Sequence, residues 1–220
     1  MLRILAHFFS FLFHPLLILT YMLIILLMFN PYIFGQRDIA DTGQLIILVF
    51  LTTFFIPAFS VAMMKLLGLI KSLSMEDKQD RTGPFIATGI FYLWMYINLA
   101  KNTNIPDAYK IFVLGATIGL FLAFIINIFS KISLHAVGMG GLLAMIVLTM
   151  RIVAYYDFTM FVPVLGLITI TMNTLLMIVI ILAGLVCTSR LLLQAHHIQE
   201  IYSGFIVGFS TQFIATAILL

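Results

Sequence analysis

The sequence predicts an all-α fold, a polytopic transmembrane helix bundle of about seven spans. Composition and patterning both predict it. Of 220 residues, 63% are hydrophobic and only 9% are charged, where a soluble domain averages about 45–50% apolar. Mean hydropathy is +1.20. The apolar residues form long runs without the strict alternation of a barrel strand, so the spans read as helices. The chain reads as one domain, 1–220, with no room for a soluble one.

Seven apolar segments follow in order, roughly 9–30, 44–64, 84–100, 111–130, 133–150, 160–187 and 201–220. Each is near the length that crosses about 30 Å of hydrocarbon. The first follows Met1-Leu2-Arg3. It is too long for a signal-peptide core and no small-residue cleavage site follows it, so it reads as a span. The others are bounded by charge. Gln36-Arg37-Asp38 precede the second, Lys71 through Arg81 the third, and Lys101 through Lys110 the fourth. Lys131 precedes the fifth, Arg151 through Asp157 the sixth, and Ser189 through Glu200 the seventh.

Parity then sorts these connectors. Those after spans two, four and six share the face of the N-terminus. They carry Lys78 and Arg81, then Lys131-Ile132-Ser133-Leu134-His135, then Ser189 through Glu200. The opposite connectors carry Arg37, Lys101, Asp107, Lys110, Arg151 and Asp157 but no His. One polar site is therefore expected where three connectors meet at helix ends. Counting Arg3, Lys65, Lys71, Lys78, Arg81, Lys131 and Arg190 against Arg37, Lys101, Lys110 and Arg151 points that face to the cytoplasm. Setting Lys78, Arg81 and Arg190 aside as chemistry leaves four against four, which decides neither side.

The densest chemistry is Ser189-Arg190-Leu191-Leu192-Leu193-Gln194-Ala195-His196-His197-Ile198-Gln199-Glu200. A charge at the membrane centre costs roughly 2.5–3.5 kcal/mol on insertion scales, so this cluster belongs at a membrane surface or in a wet cavity. His196 and Glu200 are four residues apart and share a helix face. A carboxylate there can hold one imidazole nitrogen and leave the other free to attack or bind. Arg190 offers a fork of donors suited to phosphate. His197 would leave the helix about 100° away and reads as a neighbour.

Other features are read as structural or as exclusions. Cys187 is the single cysteine, so neither an internal disulfide nor a cysteine metal site is expected. A net charge of +3, small and scattered, argues against nucleic acid as a partner. Gly138, Gly140 and Gly141 are read as close helix packing. His7 and His14 are read as interfacial or packed, and Tyr92, Trp94 and Tyr96 as interfacial or lipid-facing aromatics.

Three motifs stand in order along the chain: Lys78-Gln79-Asp80-Arg81-Thr82-Gly83-Pro84, then Ser133-Leu134-His135, then Ser189-Arg190, His196 and Glu200. Together they resemble the type 2 phosphatidic-acid phosphatase superfamily of membrane lipid phosphatases, in a divergent bacterial-type form. That family carries Lys-x6-Arg-Pro, Pro-Ser-Gly-His and Ser-Arg-x5-His-x3-Asp. The likeness covers about 78–208, in a motif-bearing core of about 71–208. Here Glu200 stands for Asp, Leu134 for Gly and Ile132 for Pro, and Lys78 precedes Arg81 by three residues rather than seven. The resemblance implies that His196 takes the phosphoryl group as a phosphohistidine, that Glu200 fixes its tautomer, and that His135 protonates the leaving alcohol. It implies that Lys78, Arg81, Ser133 and Arg190 hold the phosphate oxygens, with Ser189 near them, and that no metal or other cofactor is required. The implied partners are the membrane and a lipid phosphate, of the phosphatidic acid or polyprenyl phosphate/diphosphate class. The implied location is a bacterial inner membrane.

Other functions compete. A phosphatase-like protein could bind lipid phosphate without hydrolysing it, a reading that Leu134 and the shortened first motif favour. Glu76, Asp77 and Asp80 could belong to a metal-dependent membrane transferase, but a magnesium site needs more carboxylates, and Asp157 is expected on the far side. A transporter would be expected to show an inverted repeat, and none is visible.

Overall fold

A computed structural model describes residues 2–36, 42–73, 75, 77–152, 157–162 and 166–220. Met1, Arg37, Asp38 and Glu76, which enter the readings above, lie outside them. Among the described residues, seven stretches are long and apolar enough to cross a membrane. They are Leu2–Phe29, Gly43–Leu66, Gln79–Ala100, Asp107–Phe129, Leu134–Ile152, Met172–Leu192 and Ile198–Leu219. The protein is thus an integral membrane protein, an all-α bundle with a small strand pair.

The first stretch is two helices, α1 (Leu2–Leu12) and α2 (Ile18–Phe29), joined by a tight turn over Pro15–Leu17. Pro15 causes the break. A residue before proline is pushed out of the helical region, and His14 sits at φ −62°, ψ 135°. Its Nδ1 accepts the Leu16 N–H at 3.4 Å, which caps the turn. The second stretch, α3 (Gly43–Leu66), widens into a π turn at Leu51–Phe55. Pro57, just beyond, has no N–H to donate, and the Thr52 and Thr53 hydroxyls bond back to Val49 O at 3.1 and 2.8 Å.

Then come α4 (Thr82–Ala100), α5 (Asp107–Phe129) and α6 (Leu134–Ile152). The strand pair β1 (Asp157–Val162) and β2 (Gly166–Thr171) precedes α7 (Met172–Leu192) and α8 (Ile198–Leu219). The sixth span therefore starts later than the 160 expected from hydropathy. Residues 157–162 and 166–171 pair as antiparallel strands with Asp157 opposite Thr171 and Val162 opposite Gly166. Thr159, Thr169, Ile168, Ile170 and Thr171 are β-branched, which favours the pleated strand. Gly166 takes φ +77°, the left-handed region other residues avoid. Thr171 then caps α7, accepting the Thr174 N–H at 3.2 Å. Asp157 lies, as expected, at the end of α7 remote from Arg190.

The core runs through α2, α5 and α6. Met22, Leu23 and Leu27, Ile111 and Phe112, and Met139 and Ile146 are all fully buried. Lipid-facing positions such as Phe55, Phe59, Ile180 and Ile181 stay more than half exposed. Parallel α6 and α8 make the closest contact. A Cβ on Gly204 would stand 2.6 Å from Ser133 O, and one on Gly208 would collide with Val137 O. Gly141 faces Gln212. These pairs share one offset of 71 residues, so the helices run in register with backbones touching. Small residues permit that approach between helices in a membrane, as the glycine reading anticipated.

Candidate functional site

The register of α6 and α8 fixes where their first turns meet. Ser133 N donates to Glu200 O at 3.2 Å. Lys131 Nζ donates to Ala195 O at 3.1 Å. The first connector joins from the other side: Arg81 Nη1 donates to Ile132 O at 3.0 Å and Lys78 Nζ to Phe129 O at 3.1 Å. Asn127 Nδ2 donates to Lys78 O at 3.2 Å. The three connectors that parity assigned to one face are bonded to one another.

A short reversal places His196. α7 ends at Leu192, and Gln194 takes φ 54°, a left-handed helix stop. Ala195 N then bonds back to Arg190 O at 3.2 Å. His196 follows, only 8% exposed, and α8 begins at Ile198. Glu200, in the first turn of α8, reaches back. Its Oε2 lies 2.6 Å from His196 Nδ1 and 3.4 Å from His197 N. At 2.6 Å the Nδ1–H donates to the carboxylate, which leaves Nε2 with a lone pair. Burial and the neighbouring Arg81 and Arg190 guanidinia hold the His196 imidazole below its ordinary value, to about 4, against the raising effect of Glu200. The resting imidazole is thus neutral. The carboxylate favours the cation, as the spacing anticipated, but burial and two positive neighbours outweigh it.

His196, His135, Arg81 and Arg190 line one cavity of about 960 Å³, with Glu200 behind His196. His135 sits in the first turn of α6, and its Nε2 lies 3.0 Å from Ser10 O on α1. An imidazole facing a carbonyl donates, so Nε2 carries the hydrogen and Nδ1 is the other ring nitrogen. The His14 ring stands 5.6 Å away at 80°, edge to face. Arg190, in the last turn of α7, has a buried Nε without a hydrogen-bond partner among the described residues. Arg81 spends Nε on Met75 O at 2.9 Å and one Nη1 hydrogen on Ile132 O. Three of its five N–H groups remain.

Three residues that the motifs assigned to the phosphate, Ser133, Ser189 and Lys78, stand outside the cavity lining. Ser133 is fully buried and its Oγ lies 3.5 Å from Ala136 N, closing the start of α6. Ser189 Oγ donates to Leu185 O of its own helix at 2.7 Å. Lys78 is committed to Phe129 O. Ser189→Ala is therefore expected to leave phosphate turnover within about fivefold of wild type, since a neutral hydrogen bond contributes about 1 kcal/mol. A loss of several hundredfold in initial rate would place that hydroxyl on the substrate instead.

Four basic residues not assigned to the site by motif, Arg3, His7, His14 and Lys131, also line the cavity. Three of them were legible as a pattern. Arg3, His7, Ser10 and His14 recur at spacings of four, three and four, one face of a helix. α1 also exposes Leu2, Ile4, Phe8 and Phe11. Tyr92 also departs from expectation. It is 5% exposed and lines the cavity, whereas Trp94 is 52% exposed.

Two acidic residues of the first connector, Asp77 and Asp80, are engaged elsewhere. Asp77 pairs with Lys71 at 2.7 Å, and Asp80 accepts the Lys71 N–H at 3.0 Å. Among the described residues, no three His, Cys, Asp or Glu side chains gather as metal ligands would. Scans against protein-family models, curated proteins and solved structures each find no match.

Proposed function

We propose that the protein is a membrane lipid-phosphate phosphatase that works through a phosphohistidine. One observation carries the reading: a buried imidazole, fixed by Glu200 through Nδ1, faces a cavity shared with Arg190, whose buried Nε has no hydrogen-bond partner among the described residues. Unpaired buried donors are costly. A phosphate monoester, with up to two negative charges and several acceptor oxygens, satisfies them.

The chemistry follows from the atoms. Arg190 and Arg81 hold the phosphate oxygens. His196 Nε2 attacks phosphorus, and the bond from phosphorus to the lipid oxygen breaks. A phosphate monoanion delivers its proton to His135 Nδ1, since Nε2–H is tied to Ser10 O, and that proton passes to the leaving oxygen. Water then attacks the phosphohistidine and gives its proton, through His135, to the departing phosphate, and the P–N bond breaks. Inorganic phosphate leaves and both histidines return to their starting states. Phosphoryl transfer depends chiefly on positioning and charge, which these groups supply.

The test is release of inorganic phosphate from phosphatidic acid by purified protein in chelator. Turnover there supports the reading. Binding without release would favour the non-catalytic alternative, for which the backbone commitments of Lys78 and Ser189 speak. Turnover abolished by chelator would point to the metal-dependent class.

Arg190→Lys is expected to lower kcat about 10²–10³-fold, as loss of an oriented transition-state donor does. A lysine ammonium is a point charge and cannot bridge two phosphate oxygens as the fork does. Steady-state kinetics on a lipid monophosphate reads this directly. A variant as fast as wild type would remove Arg190 from the phosphate.

A further inference from the structure

The cavity does not end at the phosphate groups. It continues into the bundle, and its depth can be read along two helices. On α6 it is lined from His135 to Met145, ten residues, or ~15 Å at 1.5 Å per residue. From Arg81, just before α4, it is lined to Tyr92, eleven residues, or ~16 Å. Both reach about half of a 30 Å hydrocarbon layer. The walls on the way are mostly apolar, with Phe85, Leu120 and Val137 and with Leu19 from α2, interrupted by Thr88 and Thr211. Gln212 marks the inner end, seated where Gly115 leaves no side chain in its way.

Cationic groups thus occupy one end of a continuous cavity and hydrocarbon walls the other, inside the bundle and away from the lipid-facing helix surfaces. A lipid phosphate has the same division. We propose that one hydrocarbon chain of the substrate lies within this cavity, running from the phosphate groups toward Tyr92, Ala116 and Met145 at mid-membrane. The enzyme would therefore take its lipid by a single enclosed chain, and any second chain would stay in the bilayer. A carbon–carbon bond is about 1.5 Å. An extended chain advances roughly 1.25 Å per carbon on that basis. The cavity depth thus matches about twelve carbons. The chemical class is a lipid phosphate with at least one unbranched or prenyl chain of that length. This rests on the phosphatase reading for the placement of the phosphate.

The test separates the two. A dodecyl phosphate carrying a terminal diazirine is photolysed with the wild-type protein in detergent, and adducts are mapped by mass spectrometry. The expected adducts fall on Tyr92, Ala116 or Met145. Adducts confined to outward residues such as Trp94, Ile97 or Phe121 overturn the proposal. Labelling needs no turnover, so interior adducts without phosphate release would keep the enclosed chain and sink the phosphatase reading. Ala116→Phe, which fills the inner end, should lower the ratio of turnover on hexadecyl to butyl phosphate at least tenfold and displace the adducts. An unchanged ratio together with unchanged adducts also overturns it. The wild-type labelling decides the matter even if that variant fails to fold.

Discussion

His196→Ala is expected to abolish hydrolysis, with turnover falling at least about 10⁴-fold, the scale on which loss of a nucleophile acts. The substitution removes Nε2, the ring nitrogen that the Glu200 contact at Nδ1 leaves free to attack. It should spare the fold, because the residue lies in the turn between α7 and α8 and its ring makes a single side-chain bond, to Glu200. His197 is the internal control. Its backbone N–H meets Glu200 Oε2, and the residue is exposed, so His197→Ala keeps that bond and should be mild. The measurement is acid-quenched reaction with labelled lipid phosphate. Acid-labile label on wild type and His197→Ala, and none on His196→Ala, is the expected result. Equal labelling of both variants would remove His196 as the nucleophile and the mechanism with it.

The site was partly legible because spans alternate. Seven apolar runs assign each connector to a face, and that alone predicted that Arg81, the start of α6 and the turn at His196 would meet. Position along a helix is coarser than direction around it. Ser189 and Arg190 are adjacent, so their side chains diverge by about 100°; one hydroxyl turns into Leu185 O while the guanidinium lines the cavity. No spacing rule separates them without knowing which face of α7 packs inward. Lys78 needed the same information.

Two other departures have local causes. The strand pair of 157–162 and 166–171 is apolar enough to pass as span, and hydropathy does not distinguish a strand from a helix in a short run. Its Thr and Ile content and Gly166 carried the distinction. The break at His14-Pro15 was visible as a proline. Its consequence was tertiary: it brings Ser10 O and the His14 ring against His135 on α6, a residue more than a hundred positions away. Tyr92 reads as an interfacial aromatic by type, yet a helix that packs on two sides buries some of its aromatics.

Glu200→Gln is expected to lower kcat about 10²–10⁴-fold with little loss of lipid binding. A carboxylate accepts the Nδ1–H and stabilises the positive charge that grows on the ring as Nε2 bonds to phosphorus. An amide of the same shape offers no charge. It can also turn its NH₂ toward Nδ1, which moves the imidazole hydrogen to Nε2 and removes the lone pair. The ring titration gives a second readout with a defined sign. Burial, Arg81 and Arg190 hold His196 near 4, while Glu200 pulls upward. Removing the carboxylate leaves only the lowering influences, so the midpoint must move further down in Glu200→Gln. NMR of ring-labelled histidine follows it. The wild-type ring should stay neutral from pH 7 to near 4, and the variant should stay neutral to a lower pH still. A slow variant with a lowered midpoint is what an orienting, charge-stabilising carboxylate requires. An unchanged rate, or a midpoint that stays in place, would mean that the 2.6 Å contact is a helix cap and not part of the chemistry.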